Sequence, residues 1–203
     1  MKIICIGRNY AAHARELGND IPEEPVIFMK PKSALQKVDN AFFYPEFCNE
    51  LHYECEIVLR VSKNGAVIPK HKASGYYDAI TVGYDFTARD IQDECKKKGL
   101  PWEKAKAFDQ SAAVGTFIPI KEITSTKNIN FSLLKNGEQV QKGNTSEMIF
   151  CFENLVMHIS RYFTLNIGDL IFTGTPAGVG ECLPGDVLEG FLEDKKLLSV
   201  ELK

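Results

Sequence analysis

The stretch from His52 to Val61 constrains the fold of this chain more than any other part of its sequence. Apolar side chains occupy every second position from Tyr53 onward, and the positions between them include Glu54 and Glu56. Successive side chains of a β-strand point to opposite faces, so this alternation predicts a strand with one face in the core and both glutamates on the other. The Cα atoms of the two glutamates would lie about 7 Å apart, close enough for both carboxylates to reach one cation.

The rest of the chain predicts more strands than helices. Because the two do not alternate regularly, an α+β, β-rich fold with a mixed sheet is favoured over a doubly wound one. The predicted elements are a strand at 2–6, a helix at 10–17 started by Asn9 and ended by Gly18, a strand at 80–86 followed by a helix that Thr87 starts, a hairpin turn at 135–138, a helix within 149–163, and a strand at 169–173 that enters a glycine-rich turn.

Composition and charge limit the class of protein. The 203 residues, 44% of them hydrophobic, are enough for one domain, 1–203, with a sizeable core. A net charge of −3 disfavours nucleic acid or an anionic membrane as a partner. No apolar run approaches the roughly 20 residues of a membrane span, and the cysteines form no CxxC pair. We therefore expect a cytoplasmic protein with reduced thiols that binds small ligands.

Asp85 gives the two glutamates a functional explanation. For a charged pair on a strand, a solvated face is the more common explanation. Asp85, however, ends a largely apolar strand, where a buried carboxylate needs a partner. Three converging carboxylates would repel one another by about 4 kcal/mol per pair, for a separation of about 4 Å and an effective dielectric of about 20. A divalent cation removes that repulsion, and an all-oxygen ligand set favours Mg²⁺ or Mn²⁺.

Other candidates for chemistry stay ambiguous from the residues alone. His13 and Glu16 lie one helical turn apart, and they could form a general base with its orienting carboxylate or only a surface pair. The turn Gly174–Gly180 lacks the spacing of a P-loop or of a dinucleotide site. It either packs tightly or offers backbone N–H groups, with the Thr175 hydroxyl nearby, to a substrate carboxylate. Nothing separates Lys106 from the lysines around it.

Several segments, in this order, resemble the fumarylacetoacetate hydrolase family. They extend from about Ile4 to about Gly190, which makes their combination more specific than any one of them. The segments are Gly7-Arg-Asn-Tyr-Ala-Ala-His13-Ala-Arg-Glu16, His52-Tyr-Glu54-Cys-Glu56, Tyr84-Asp85-Phe-Thr-Ala-Arg89-Asp-Ile-Gln92, Lys98-Gly-Leu-Pro-Trp102, Ala105-Lys106-Ala-Phe-Asp109, Asn136-Gly-Glu and Gly168-Asp-Leu-Ile-Phe-Thr-Gly-Thr175-Pro-Ala-Gly-Val-Gly180. The chain departs from this pattern near Ala113, where many relatives have a Gly-Pro pair.

The resemblance is to the acylpyruvase and oxaloacetate decarboxylase branch, and it implies a β-rich roll and usually a homodimer. It also implies that Glu54, Glu56 and Asp85 bind one Mg²⁺ or Mn²⁺ per subunit. His13 and Glu16 would act as a catalytic dyad on an N-terminal helix. The remaining implied site residues are Lys106 as a catalytic residue, Gln92, Gly174 and Thr175 at the substrate, and Arg89 either at the substrate or supporting the site from behind.

The implied activity is cleavage of the carbon–carbon bond of 3-acylpyruvates, such as acetylpyruvate and fumarylpyruvate, to pyruvate and a carboxylic acid. The metal and Lys106 would stabilise the departing pyruvate enolate, and His13 would activate the attacking water. Decarboxylation of oxaloacetate reaches the same enolate without water. Alternatives on the same fold are a 2-oxo-dienoate hydratase or isomerase and an oxaloacetate tautomerase. A non-catalytic protein that binds small acids is the alternative from another class.

Overall fold

The computed structural model describes residues 1–18, 20–36 and 41–203, which form fourteen strands and four α-helices. The strands are β1 Ile3–Gly7, β2 Val26–Lys30, β3 Leu51–Tyr53, β4 Cys55–Val61, β5 Tyr77–Asp85, β6 Thr87–Ala88, β7 Ala112–Val114, β8 Ile118–Pro119, β9 Asn130–Lys135, β10 Glu138–Asn144, β11 Leu170–Phe172, β12 Gly180–Glu181, β13 Val187–Leu192 and β14 Lys195–Glu201. The α-helices are α1 Ala11–Glu16, α2 Arg89–Lys98, α3 Glu103–Lys106 and α4 Phe152–Tyr162.

The strands form three sheets. The largest has the order β2–β1–β11–β4–β5–β7, with β8 also beside β5. The second has the order β10–β9–β13–β14, and the third the order β12–β3–β6. Strands β1 and β11 are parallel, whereas β4 is antiparallel to both β5 and β11. The predicted mixed, strand-rich α+β architecture is therefore confirmed.

The strand predicted from His52 to Val61 is divided in two at Glu54. Strand β3 pairs with β6 and β12, whereas β4 pairs with β5 and β11, so the two halves belong to different sheets. The N–H of Cys55 donates to the side-chain oxygen of Gln141 at 2.9 Å instead of to a neighbouring strand. The prediction of one continuous strand was wrong because this bond comes from a residue far away in the sequence.

Both faces of β4 are buried. Ile57 and Leu59 belong to the main hydrophobic core, which draws side chains from all three sheets. Val58, on the other face, packs in a second cluster with Phe172. Glu56 within this strand and Glu54 just before it are both buried, which removes the more common explanation, a charged pair on a solvated strand face.

Two residues that were predicted to start helices do something else. Neither α1 nor α2 has a side-chain cap at its first turn. The Asn9 amide instead donates to the main-chain carbonyls of Phe150, at 3.0 Å, and Thr173, at 2.8 Å. Thr87 lies in β6, and its hydroxyl donates to the carbonyl of Asp85 at 3.1 Å. Both predictions were wrong because these side chains bond to other main-chain carbonyls: those of Asn9 are distant in the sequence, whereas that of Thr87 lies two residues earlier.

Other local predictions are confirmed. Asn136 and Gly137 connect β9 to β10 with φ values of 54° and 83°, as a tight hairpin turn requires. Gly18 follows α1 with a φ of 65°, which suits the end of a helix. Strand β11 and helix α4 lie within the predicted segments. None of the described helices has the length and apolar character needed to cross a membrane.

Candidate active site and metal centre

Three carboxylates converge where β4 begins and β5 ends. Glu54 lies in the break before β4, Glu56 lies in β4, and Asp85 is the last residue of β5. The antiparallel register places Glu56 opposite Gly83, and the N–H of Asp85 donates to the carbonyl of Glu54 at 2.9 Å. One oxygen of each carboxylate lies within 4.8 Å of the others. All three side chains are buried.

Lys106 neutralises two of these carboxylates. Its Nζ lies 2.7 Å from Glu54 Oε2 and 2.8 Å from Asp85 Oδ2, and it donates to the Thr87 hydroxyl at 2.6 Å. Burial opposes its charge, but Asp85 and Glu54 outweigh burial and raise the pKa of Lys106. The sequence could not separate Lys106 from its neighbours, whereas its burial and ion pairs do.

Arg89 binds the remaining oxygen of Glu54. Its Nη2 lies 2.5 Å from Glu54 Oε1, its Nη1 donates to Gln92, and its Nε lies 3.3 Å from His52 Nδ1. Burial raises the pKa of Glu54, but Lys106 and then Arg89 lower it further than burial raises it. Arg89 supports Glu54 and also lines the pocket, so both roles implied for it stay predictions.

Glu56 has no cation partner among the described residues. Its Oε2 accepts the N–H of Gly174 at 2.7 Å. Burial, followed by the charge of Asp85, raises the pKa of Glu56 well above its usual value. This carboxylate is the one whose charge the surrounding protein leaves uncompensated, so a divalent cation fits the donor set that it forms with Glu54 and Asp85.

Lys30 is a functional candidate that the sequence did not reveal. Its Nζ lies 2.7 Å from Asp85 Oδ1 and is fully buried. It also contacts the main-chain oxygens of Phe86, at 3.3 Å, and Ser111, at 3.1 Å, the Ser111 hydroxyl at 3.0 Å, and the carbonyl of Lys106. An ammonium has three protons, so Lys30 cannot donate to all of these acceptors at once. Asp85 Oδ1 accepts no hydrogen bond from the described residues. The one feature of the sequence that could have indicated Lys30 is its position at the end of the otherwise apolar strand β2.

The structure brings the side chains of His13 and Glu16 into contact, with His13 buried and Glu16 exposed. His13 Nδ1 lies 3.2 Å from Glu16 Oε2, and His13 is buried. Glu16 Oε1 accepts the N–H of Gly178 at 3.0 Å, so the glycine-rich turn holds this carboxylate in place. A Cβ at Gly178, where φ is +96°, would lie 2.5 Å from the carbonyl oxygen of Val140. The turn therefore packs closely, and its N–H groups at Gly174 and Gly178 donate to carboxylates of the protein; donation to a substrate carboxylate stays a prediction.

One pocket contains most of the predicted site. The side chains predicted from the sequence that line it are His13, Glu54, Glu56, Asp85, Arg89, Gln92, Lys106 and Thr175. Gly174 does not line it, and its N–H is engaged by Glu56. Seven further residues line it that had not been singled out as ligands: Ile6, Gly7, Arg8, Leu17, Phe28, Lys96 and Trp102. Arg8 has a φ of 59°, an unusual conformation for a residue with a side chain; it lies in the first of the family segments, but the resemblance gave it no role.

The chain is similar to known proteins over nearly its whole length. The chain is 40% identical over 191 residues to the mitochondrial oxaloacetate tautomerase FAHD1 of Rattus norvegicus, covering 94% of this chain and 86% of the relative. It is 42% identical over 191 residues to the oxaloacetate tautomerase YcgM of Escherichia coli (strain K12), covering 92% and 86%. Because one relative is mitochondrial and another bacterial, the cytoplasmic location stays a prediction.

Solved structures agree with this likeness. The crystal structure of fumarylpyruvate hydrolase from Pseudomonas aeruginosa, in complex with Mn²⁺ and pyruvate, has a TM-score of 0.94 and 38% identity, covering 100% of this chain and 89% of that one. The family model described as the C-terminal domain of fumarylacetoacetate (FAA) hydrolase matches residues 2–203. Fold, motifs and relatives therefore agree that this chain belongs to the fumarylacetoacetate hydrolase family.

Proposed function

We propose that this protein is a Mg²⁺- or Mn²⁺-dependent oxaloacetate tautomerase, which moves a proton between carbon 3 and the oxygen on carbon 2 of its substrate. The observation that carries the proposal is that the carboxylate cluster and the His13–Glu16 dyad line or adjoin one pocket. Keto–enol exchange needs one proton-transfer group and stabilisation of negative charge on the 2-oxo oxygen. The relatives named as oxaloacetate tautomerases favour this reaction over others of the family.

The charge of the pocket supports a dianionic substrate. The cationic side chains that line it are Arg8, Arg89, Lys96 and Lys106. Glu54 binds two of them, Arg89 and Lys106. Burial, and then the charge of Arg89, lower the pKa of Lys96, as expected where cations gather. Lys96, whose one ion pair among the described residues is a 3.6 Å contact with the exposed Asp93, and Arg8 could therefore bind the substrate carboxylates, of which oxaloacetate has two.

The dyad supplies the proton transfer. The Glu16 carboxylate can only accept a hydrogen bond, so His13 carries its proton on Nδ1 and leaves Nε2 free to take a proton from carbon 3 and deliver it to the oxygen on carbon 2, or to carry it in the reverse direction. Glu16 would stabilise the imidazolium between these two transfers. A divalent cation held by Glu54, Glu56 and Asp85 would supply positive charge beside the 2-oxo oxygen.

Hydrolysis of 3-acylpyruvates is the second candidate, as predicted from the sequence. It is favoured by the likeness to the fumarylpyruvate hydrolase structure. The same His13 would then activate a water that attacks the distal carbonyl, while decarboxylation of oxaloacetate would need no such attack. A 2-oxo-dienoate hydratase or isomerase would use the same pocket.

Replacing His13 with alanine tests the dyad. In the presence of Mn²⁺ we expect conversion of enol-oxaloacetate to its keto form, followed by the ultraviolet absorbance of the enol, to slow by about 100-fold or more. The exposed His71 provides the matched control H71A, which should behave as wild type. A H13A variant as fast as wild type would remove the dyad from the mechanism.

Wild-type protein assayed on several oxo acids separates the two candidates. We expect tautomerisation of oxaloacetate to exceed release of pyruvate from acetylpyruvate or fumarylpyruvate. If pyruvate release were fast and tautomerisation matched the uncatalysed rate, the hydrolase would replace the tautomerase. In that case H13A should damage hydrolysis much more than decarboxylation of oxaloacetate, because only hydrolysis requires an activated water.

Replacing Gly178 with alanine tests the positioning of Glu16. The added Cβ would collide with the carbonyl oxygen of Val140 at 2.5 Å, so the turn must move and Glu16 loses its N–H donor. We expect the turnover number to fall by on the order of tenfold to 100-fold, since small displacements of catalytic groups have effects of this size. Gly185, with a φ of +94° but no atom within 4 Å of a Cβ, provides the control G185A. Equal activity of the two variants would contradict this role.

A further inference from the structure

Gln141 connects the metal-binding strand to the glycine-rich turn, although nothing in the sequence singled it out. It lies in β10, where pairing with β9 shifts between Gln139 and Gln141, and it is only 2% exposed. Its Oε1 accepts the N–H of Cys55 at 2.9 Å. Its Nε2 donates to the Thr175 hydroxyl at 2.9 Å and to the carbonyl of Pro176 at 3.1 Å.

Thr175 closes these contacts into a ring. Its hydroxyl donates to the carbonyl of Cys55 at 2.9 Å, so the N–H and the C=O of Cys55 are both bound by buried side chains. Cys55 is the residue between Glu54 and Glu56. Because β3 and β4 separate at this point, the Cys55 N–H would be buried without a partner if Gln141 were apolar.

We infer that Gln141 and Thr175 are positioning residues, which fix the Cys55 peptide and thereby set the separation of the Glu54 and Glu56 carboxylates for a divalent cation. A hydroxyl has one proton, and that of Thr175 is donated to Cys55. Thr175 therefore lines the pocket without donating its hydroxyl proton to the substrate. The inference depends on the carboxylate cluster and not on which oxo acid reacts.

Binding of Mn²⁺ to metal-free protein, measured by electron paramagnetic resonance of free Mn²⁺, tests the ring without an activity assay. We expect Q141L and T175V each to weaken Mn²⁺ binding by about tenfold, because loss of residues that orient metal ligands typically has an effect of 10-fold to 100-fold. T175S keeps the hydroxyl and should bind within about twofold of wild type. Gln139 lies exposed on the same strand, and its variant Q139L should also bind as wild type.

The double variant Q141L/T175V distinguishes a ring from two separate contacts. One substitution already opens the ring, so the double variant should bind Mn²⁺ only about as weakly as the weaker single variant. Effects that multiply would overturn the ring. So would wild-type Mn²⁺ affinity in folded Q141L and T175V. If Q141L did not fold, the comparison of T175V with T175S would decide alone. A T175V variant that kept its Mn²⁺ affinity but lost affinity for oxalate would place the hydroxyl at the substrate and overturn the proposal.

Discussion

Replacing Glu56 with glutamine is expected to lower metal-dependent activity by on the order of 1000-fold while stabilising the metal-free protein. Loss of one charged ligand weakens the cation site, and metal charge stabilisation is worth several kcal/mol in a transition state. The amide oxygen of glutamine can still accept the N–H of Gly174, which Glu56 accepts at 2.7 Å. Removing a buried charge with no cation partner should raise the free energy of unfolding by about 1–3 kcal/mol at pH 7.

The gain in stability from replacing Glu56 should depend on pH, and the raised pKa of Glu56 sets the direction of that dependence. Burial raises the pKa of Glu56 in the folded protein well above the usual 4.5 of a glutamate. Its contribution to stability is therefore fully present below about pH 4.5 and is lost as the pH rises through the folded pKa. In EDTA, denaturant titrations should show E56Q gaining on wild type as the pH rises. The exposed Glu46 provides the control E46Q. An E56Q variant less stable than wild type at pH 7 would contradict the expectation.

Replacing Lys30 with methionine is expected to lower the free energy of unfolding by about 3–5 kcal/mol, because it leaves a buried charge without one of its partners. The ammonium lies 2.7 Å from Asp85 Oδ1, and Lys106 contacts only the other oxygen of that carboxylate. The main-chain oxygens of Phe86 and Ser111 would lose a donor as well.

Denaturant titration of K30M in EDTA measures this loss. The nearby Lys32 is exposed, and its variant K32M should stay within about 0.5 kcal/mol of wild type. Addition of Mn²⁺ should recover part of the stability of K30M, since the cation would supply a counter-charge to Asp85. A K30M variant as stable as K32M would show that Asp85 does not depend on Lys30.

The sequence predicted the elements of the fold better than their boundaries. The hairpin at Asn136 and Gly137 is encoded by residues that tolerate positive φ, and it forms as predicted. The alternation around Glu54 correctly indicated strand structure but not the break between β3 and β4. That break depends on Gln141, more than eighty residues away, and no local period contains such information.

For the site, the residues alone left two explanations open at each cluster. For the carboxylates, burial removes the solvated face; for His13 and Glu16, the structure shows that the two side chains meet and that the glycine-rich turn binds Glu16, whereas their catalytic role stays a prediction. Metal binding itself stays a prediction. Arg8 and Lys96 could not have been separated from other surface cations, since their relevance comes from lining the pocket.

The sequence by itself determined a strand-rich chain with three carboxylates in apolar strands, because side-chain alternation and the cost of burying charge are local properties. Family motifs extended this to a candidate metal site and a dyad. Only the tertiary structure decided which cations meet which carboxylates. Glu54 pairs with Lys106 and Arg89, Asp85 pairs with Lys30 and Lys106, and Glu56 has only a backbone N–H as its partner among the described residues. These pairings follow from sheet order and register, which depend on contacts between distant parts of the chain.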